Sequence, residues 1–482
     1  MVSPRTPLPS QTSSHQDRVI AAPIDDATGA REASVGGAIR LSVEIPIRVL
    51  SILATLILTR RLGVLGFGEF IVTLGVALVL AEFGDLGLTQ SLIPHIVSGR
   101  RSVQDIYAVK GQLTAAMIVV GALAVGAVAI LSPLDPVTVT LCVAHYVGAG
   151  WIECVGNTLR AFGRRSAEAA LLLVFRGVLV GLIGLTSLGE SPRAVALAYA
   201  LALVPALLLG AGLVSKHASV PRTAGSWIVL REALPLGLNS GLARLTVRIE
   251  VFVLRFLDLA AGLGLFAVSL RVIESLLTLP SALAGGALPA LAREARSPEA
   301  GPGAAQRTLS LVAWVGIPAG VGMGLRAPEI LDLLGPAFVE GAPILRVFSF
   351  TLALCFLNTA LFHILVAAER GPLIPKLTAL RLAVGVMFAV ILIPRLGGLG
   401  AAIGYAASEV VLLLCLTHAA GHSARFSIAR PVGTALLGAA PMGFALWFGP
   451  RPLGLAIPMA VIVFALGAAL MFRARRRSTG LG

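Results

Sequence analysis

The residues of this sequence best suited to chemistry are charged ones set inside long apolar stretches. Arg244, Arg248 and Arg255 lie at offsets of four and seven residues. At about 3.6 residues per turn, that spacing puts all three on one helical face. Like charges in a row repel, so the stripe calls for acids on a facing helix or for an anionic ligand. Guanidinium forks match phosphate oxygens in both geometry and charge. Arg271 has Glu274 one turn further on, and Arg48 follows Arg40 and Glu44 at four-residue intervals, with Pro46 expected to bend that helix. Arg48, Arg244, Arg248 and Arg271 are therefore candidate binding residues for a phosphate-bearing anion, with Arg176, Arg346 and Arg381 as weaker candidates. Glu82 and Asp85 stand one turn apart, and two carboxylates in a low dielectric share a proton or hold a cation. They are candidates for ion coupling. His145 and His363 read as hydrogen-bonded packing residues.

The elements that must position these groups follow from composition. Of 482 residues, 57% are hydrophobic and only 13% charged, against about 25% charged in soluble domains. Mean hydropathy is +0.91. So few charges cannot cover a globular surface, and the chain reads as an integral membrane protein. Fourteen apolar stretches of spanning length run from Leu41–Thr59 to Leu453–Phe472. They predict an all-α protein: an N-terminal lobe of six spans over residues 39–215, a second lobe of six over 229–418, and a final pair over 431–472. Residues 1–38, rich in Pro, Ser and Thr, read as a disordered tail, and residues 473–482 as a basic one.

The net charge of +14 reads as topology rather than nucleic-acid binding. With the N-terminus placed in the cytoplasm, the expected cytoplasmic segments hold 24 Lys and Arg, the outer loops six and the spans eight. That bias predicts both termini inside. The longest loop, Pro289 to Thr308, leaves no room for a soluble catalytic domain, so no enzyme is expected. The four cysteines lack metal-ligand spacing, and neither a metal nor a cofactor is expected. A charge at mid-bilayer costs about 3 kcal/mol on insertion scales, so intramembrane charges should pair or face a cavity. The first lobe carries more acids than arginines in its spans, the second six Arg and three acids. The cavity should be cationic on the second lobe and acidic on the first.

Two segments repeat. Gly66-x-Gly68-x-Phe70 opens the second span and Gly262-x-Gly264-x-Phe266 the eighth, with Pro94 and Pro289 near the two span ends. Six helices between the copies make a parallel repeat about the membrane normal, a recurrent transporter plan.

Further residues carry a resemblance. Thr59-Arg60-Arg61-Leu62-Gly63, Gly68-Glu69-Phe70 and Phe83-Gly84-Asp85-Leu86-Gly87 are followed by Leu234-Pro235, Arg248-Ile249-Glu250, Gly264 through Arg271, Leu288-Pro289 and Leu334-Gly335. Ile393-Pro394, Gly397 and Gly400-Ala401-Ala402 complete the series. In this order and spacing, over about Val35 to Leu416, the chain resembles bacterial polysaccharide flippases of the multidrug/oligosaccharidyl-lipid/polysaccharide (MOP) exporter superfamily. It departs at Glu250, where aspartate is the more usual residue. The resemblance implies two pseudo-symmetric six-helix lobes around a central cavity, working by alternating access in the bacterial inner membrane. It also implies a cargo, an oligosaccharide on a polyprenyl pyrophosphate, carried from the cytoplasmic to the outer leaflet for O-antigen, capsule or exopolysaccharide synthesis. A polysaccharide polymerase and glycosyltransferases are the protein partners such a role implies. A drug/cation antiporter of the same superfamily calls for an acidic, aromatic-rich cavity. A non-transporting scaffold for glycan synthesis gives no reason for arginines in mid-membrane.

Overall fold

The computed structural model describes residues 26–89, 92, 96, 103–131, 134–185, 189–215, 226–296, 303–421, 426–450 and 452–478. Met1–Pro46 and Ile47–Gly482 form separate units. Residues 1–25 and 479–482 of the two expected tails, and the side chains of Arg40 and Glu44, lie outside the described residues. Among those described, the regular structure is helical throughout. The first lobe comprises α1 (Asp26–Asp85), α2 (Val103–Leu131), α3 (Pro136–Ala161), α4 (Arg165–Leu185) and α5 (Pro192–Val214). The second comprises α6 (Ser226–Phe256), α7 (Ala260–Leu276), α8 (Thr278–Gly286), α9 (Leu288–Arg296), α10 (Ala304–Leu325), α11 (Ala327–Leu334), α12 (Ala342–Ala367) and α13 (Ile374–Gly421). Helices α14 (Ala429–Phe448) and α15 (Leu453–Ser478) follow.

Among the described residues, ten stretches are long and apolar enough to cross a membrane. Two of them hold a break. Gly63 in α1 and Gly397 in α13 have φ of 62° and 54°, inside otherwise continuous helices. Only glycine enters that region without penalty, so each break divides one long helix into two spans. Counted with α6, which falls outside those ten, and the shorter apolar run of α15, Leu453–Ala465, the segments number the fourteen expected. The chain is a multi-pass membrane protein.

Local signals explain where the helices start. Asp135 accepts from the backbone amides of Val137 and Thr138 at 3.3 and 3.1 Å, with Pro136 opening α3. Ser191 accepts from Ala194 at 3.2 Å ahead of Pro192. Both are N-caps followed by proline at the first helical position. Glu294, on the short helix α9, accepts from the amides of Ala304 and Ala305 at 2.5 and 3.0 Å and so caps α10 from a distance.

Three arginines expected in outer loops are occupied in the same way at the other helix ends. Arg60 donates to Leu333 O at 2.9 Å, Arg61 to Gly184 O at 2.9 Å, and Arg326 to Leu446 O and Pro450 O. Last-turn carbonyls lack intrahelical partners and favour a cation. These side chains serve the fold, which accounts for their departure from the charge bias.

The repeat glycines meet each other. A β-carbon at Gly68 would lie 3.0 Å from Gly264 N, and one at Gly264 would lie 2.1 Å from Val64 O. Phe67 stacks edge-on against Phe338 beside them, at 6.2 Å. At the other end of the same α1 segment, a β-carbon at Gly237 would lie 2.2 Å from the Leu86 carbonyl carbon. The two lobes thus touch backbone to backbone at both ends.

Candidate substrate-binding cavity

Between these two contacts lies a cavity of about 570 Å³. From the first lobe it is lined by Glu82 and Asp85 of α1, Lys110 of α2, Glu153 of α3 and Arg176 of α4. From the second come Arg244 and Arg248 of α6, with Arg271 and Glu274 of α7. Five cations therefore face four carboxylates across one space, with most acids on the first lobe and most arginines on the second. The volume falls within the ~300–1,000 Å³ typical of sites that hold one small ligand.

The ion pairs differ in tightness. Asp85 is paired with Lys110, and its other oxygen accepts from the Thr89 amide at 2.9 Å. Lys110 also donates to Thr89 Oγ1 at 3.1 Å. Across the cavity the pairs are looser. Arg244 Nε is 3.6 Å from Glu82, and its side chain is 55% exposed. Glu274 is shared, 3.2 Å from both Arg248 and Arg271. Arg248 Nε has no hydrogen-bond partner. Arg244, held this loosely and more than half exposed, can turn to an incoming anion without leaving a bare charge buried, whereas Arg248 is buried against Glu274.

Five of the six predicted site residues, Glu82, Asp85, Arg244, Arg248 and Arg271, line this one cavity. Arg48, half-buried on α1, is not among the lining residues. The stripe on α6 is shorter than its spacing predicts, since Arg255 pairs with Asp258 at 2.9 Å in the turn that ends the helix. Acids on other helices do face it: Glu82 and Glu274. Arg346 is exposed. Lys110 was assigned to a cytoplasmic loop by sequence. In the structure α2 begins at Val103 and the lysine is buried. Its helical neighbours Leu113, Thr114 and Met117 line the cavity with it, at offsets of three, four and seven residues. That one-faced spacing is the signal that could have found it. His145 is the packing residue expected, its Nδ1 lying 3.1 Å from Tyr199 O.

A second, smaller cavity of about 340 Å³ lies within the second lobe and shares Val247 and Leu277 with the first. Arg381 pairs with Glu409 at 2.5 Å there, Asn358 donates to Glu409 at 2.7 Å, and Tyr405 lies under the guanidinium at 5.0 Å.

No protein-family model matches the chain, and no curated protein is similar to it in sequence. Solved structures match it in fold. A lipid II flippase, MurJ, in an inward closed conformation superposes with a TM-score of 0.71 over 90% of this chain and 99% of its own, at 11% identity. The fold is that of MOP-superfamily transporters. A multidrug resistance MATE family transporter of that superfamily, outward-facing, aligns at TM-score 0.60 and 18% identity, over 84% and 97% of the two chains. A MOP-superfamily transporter from Pyrococcus furiosus, described as having a binding pocket of reversed polarity, aligns at 0.53 and 18% identity over 81% and 96%. At such identities the MOP likeness is one of fold, and function must be argued from the cavity.

Proposed function

We propose that the chain is a flippase of the bacterial inner membrane, with both termini cytoplasmic, that carries a polyprenyl-pyrophosphate-linked oligosaccharide to the outer leaflet by alternating access. The observation that supports this reading is the arginine wall, in which three guanidinium groups share two glutamates. Arg244, Arg248 and Arg271 converge on one cavity from two helices, and a pyrophosphate supplies oxygens for all three forks. In this reading Glu82 and Glu274 are counter-ions that give way as the anion enters, and Arg176 faces it from the first lobe. Arg48 lies outside the wall and is not part of the clamp. On the topology expected from loop charge, the Gly68 and Gly264 contact is the outer gate and the Leu86 and Gly237 contact the cytoplasmic one. A drug/cation antiporter shares the fold, but five cations in the cavity oppose a cationic cargo. A polymerase and glycosyltransferases are the protein partners we propose.

The test is reconstitution into proteoliposomes with a fluorescent polyprenyl-pyrophosphoryl saccharide, scored for its movement between leaflets. Wild type should move it, and Arg248→Ala should slow transport about a hundredfold, as expected for losing a charge-assisted contact of ~3 kcal/mol. Equal transport by Arg248→Ala would sink the clamp. Coupling to a proton or sodium gradient through Glu82 and Asp85 is a separate part of the proposal. An imposed gradient should change the rate in wild type but not in Glu82→Gln or Asp85→Asn, and a gradient-blind wild type removes that part alone.

A further inference from the structure

The cavity has a second recognisable wall. His145 and Tyr146 of α3, Phe175 of α4 and Tyr199 of α5 all line its first-lobe side. Their rings touch. The His145 ring lies 5.1 Å from Tyr146 and 4.9 Å from Tyr199, both edge-on, and stacks on Phe175 at 5.8 Å with 23° between planes. Phe70 of α1 backs Tyr199 at 5.4 Å. The bond from His145 to the Tyr199 carbonyl fixes the group from behind. His145, Phe175 and Tyr199 are buried in this stack, whereas Tyr146 is partly open. The opposite side of the cavity, from α6 and α7, contributes no aromatic residue among those lining it. The concentration is informative because aromatic residues make up only 6% of the chain, and two of its four tyrosines stand here.

Packing alone accounts for the three buried rings. It does not account for a partly open tyrosine that rests on those rings and lines the cavity. Arg248 and Arg271 line the same cavity. A ligand whose phosphates sit on those arginines therefore has its next group beside Tyr146. A pyranose ring fits that position: one face presents C–H groups that pack flat on an aromatic ring, and its rim of hydroxyls needs donors and acceptors. Lys110 and Glu153 line the same side and supply both.

Resting on the flippase reading, we infer that Tyr146, held by His145, Phe175 and Tyr199, is a saccharide-stacking subsite for the sugar joined directly to the pyrophosphate. Arginines of the second lobe hold the charge of the cargo, and the aromatic wall of the first reads its sugar. The transporter thereby distinguishes a loaded carrier lipid from an empty one before moving it.

Binding of two probes to the purified full chain tests this: a short polyprenyl pyrophosphate, and the same lipid bearing one glucose, galactose or N-acetylglucosamine. Wild type should bind at least one sugar-bearing probe roughly tenfold more tightly than the bare one, the size of a stacking contact of about 1.4 kcal/mol. Tyr146→Phe keeps the ring and should keep that advantage. Tyr146→Ala should lose it and retain the affinity for the bare lipid, and Tyr146→Leu serves in its place if the alanine variant does not fold. Arg248→Ala should weaken both probes together. A wild type with no sugar advantage, or a Tyr146→Ala variant that keeps it, overturns the subsite and leaves the flippase reading standing. Binding of neither probe to wild type overturns the reading, and the subsite with it.

Discussion

The central cavity and the side cavity of the second lobe both hold arginine against glutamate, and they hold it differently. In the side cavity Arg381 and Glu409 are 11% and 5% exposed, with Asn358 and Tyr405 completing the set. In the central cavity Arg244 is more than half exposed and 3.6 Å from its acid, and one glutamate serves two arginines. A tight, dry pair fixes helices against each other, because neither partner can leave without stranding a buried charge. A loose, wet pair stores little energy and releases its cation readily. Exposure and distance set Arg244 apart from Arg381; Arg248, at 11%, is as buried as Arg381 and differs in sharing its acid with Arg271.

Breaking the tight pair should have the largest effect. Arg381→Ala leaves Glu409 buried without its cation, and should lower stability by about 3–5 kcal/mol. Thermal unfolding in detergent checks it, with Arg381→Leu/Glu409→Leu expected to recover most of the loss. Lys110 and Asp85 form the one tight pair of the central cavity, so Lys110→Met should destabilise by about 3 kcal/mol, and Asp85→Asn should restore part of that. A stable Lys110→Met protein would move that pair into the loose class. Arg244→Lys keeps the charge and loses the fork, so transport should fall only about tenfold, one charge-assisted bond's worth, while the melting temperature stays where it is. A large fall in melting temperature would show that Arg244 is structural after all.

The smallest effect lies outside the spans, where Asp135 caps α3. The Thr138 hydroxyl, helped by the amides of Thr138 and Val137, holds its carboxyl below the usual carboxylate range against the opposing effect of burial. Its folded value lies below its unfolded one, so its contribution is present above pH ~4 and is lost as pH falls through the folded value. Asp135→Ala should therefore cost about 1 kcal/mol or less at pH 7, and less still at acid pH.

The spans were legible because bilayer thickness imposes a length on apolar runs, and among the described residues ten helical stretches meet that length and apolarity. Arg244, Arg248 and Arg271 were legible because a charge in an apolar run must be explained. Lys110 was not, because the first turns of α2 carry Gln104, Asp105 and Gln112, and hydropathy cannot tell a polar helix start from a loop. The fate of Arg255 depends on Asp258, which takes a φ of 54° at the turn ending α6. No periodicity announces that turn. The aromatic wall draws one residue pair and two single residues from three helices, so its members never share a helical face in sequence. The same holds for the pairing of Arg244 with Glu82, which lie in different lobes.

The glycine contacts at the two ends of the cavity bear on leakage. A constriction made of side chains flickers open as rotamers exchange, on picosecond to nanosecond scales. One made of two backbones in van der Waals contact has no rotamer to exchange, and it parts only when whole helices move, in microseconds to milliseconds. Gly264 against Val64 and Gly237 against Leu86 are of the second kind. On the flippase reading, a proton or small ion then has no fast route past either contact. The electrical resistance of the membrane would rest, at each contact, on one residue that carries no side chain at all.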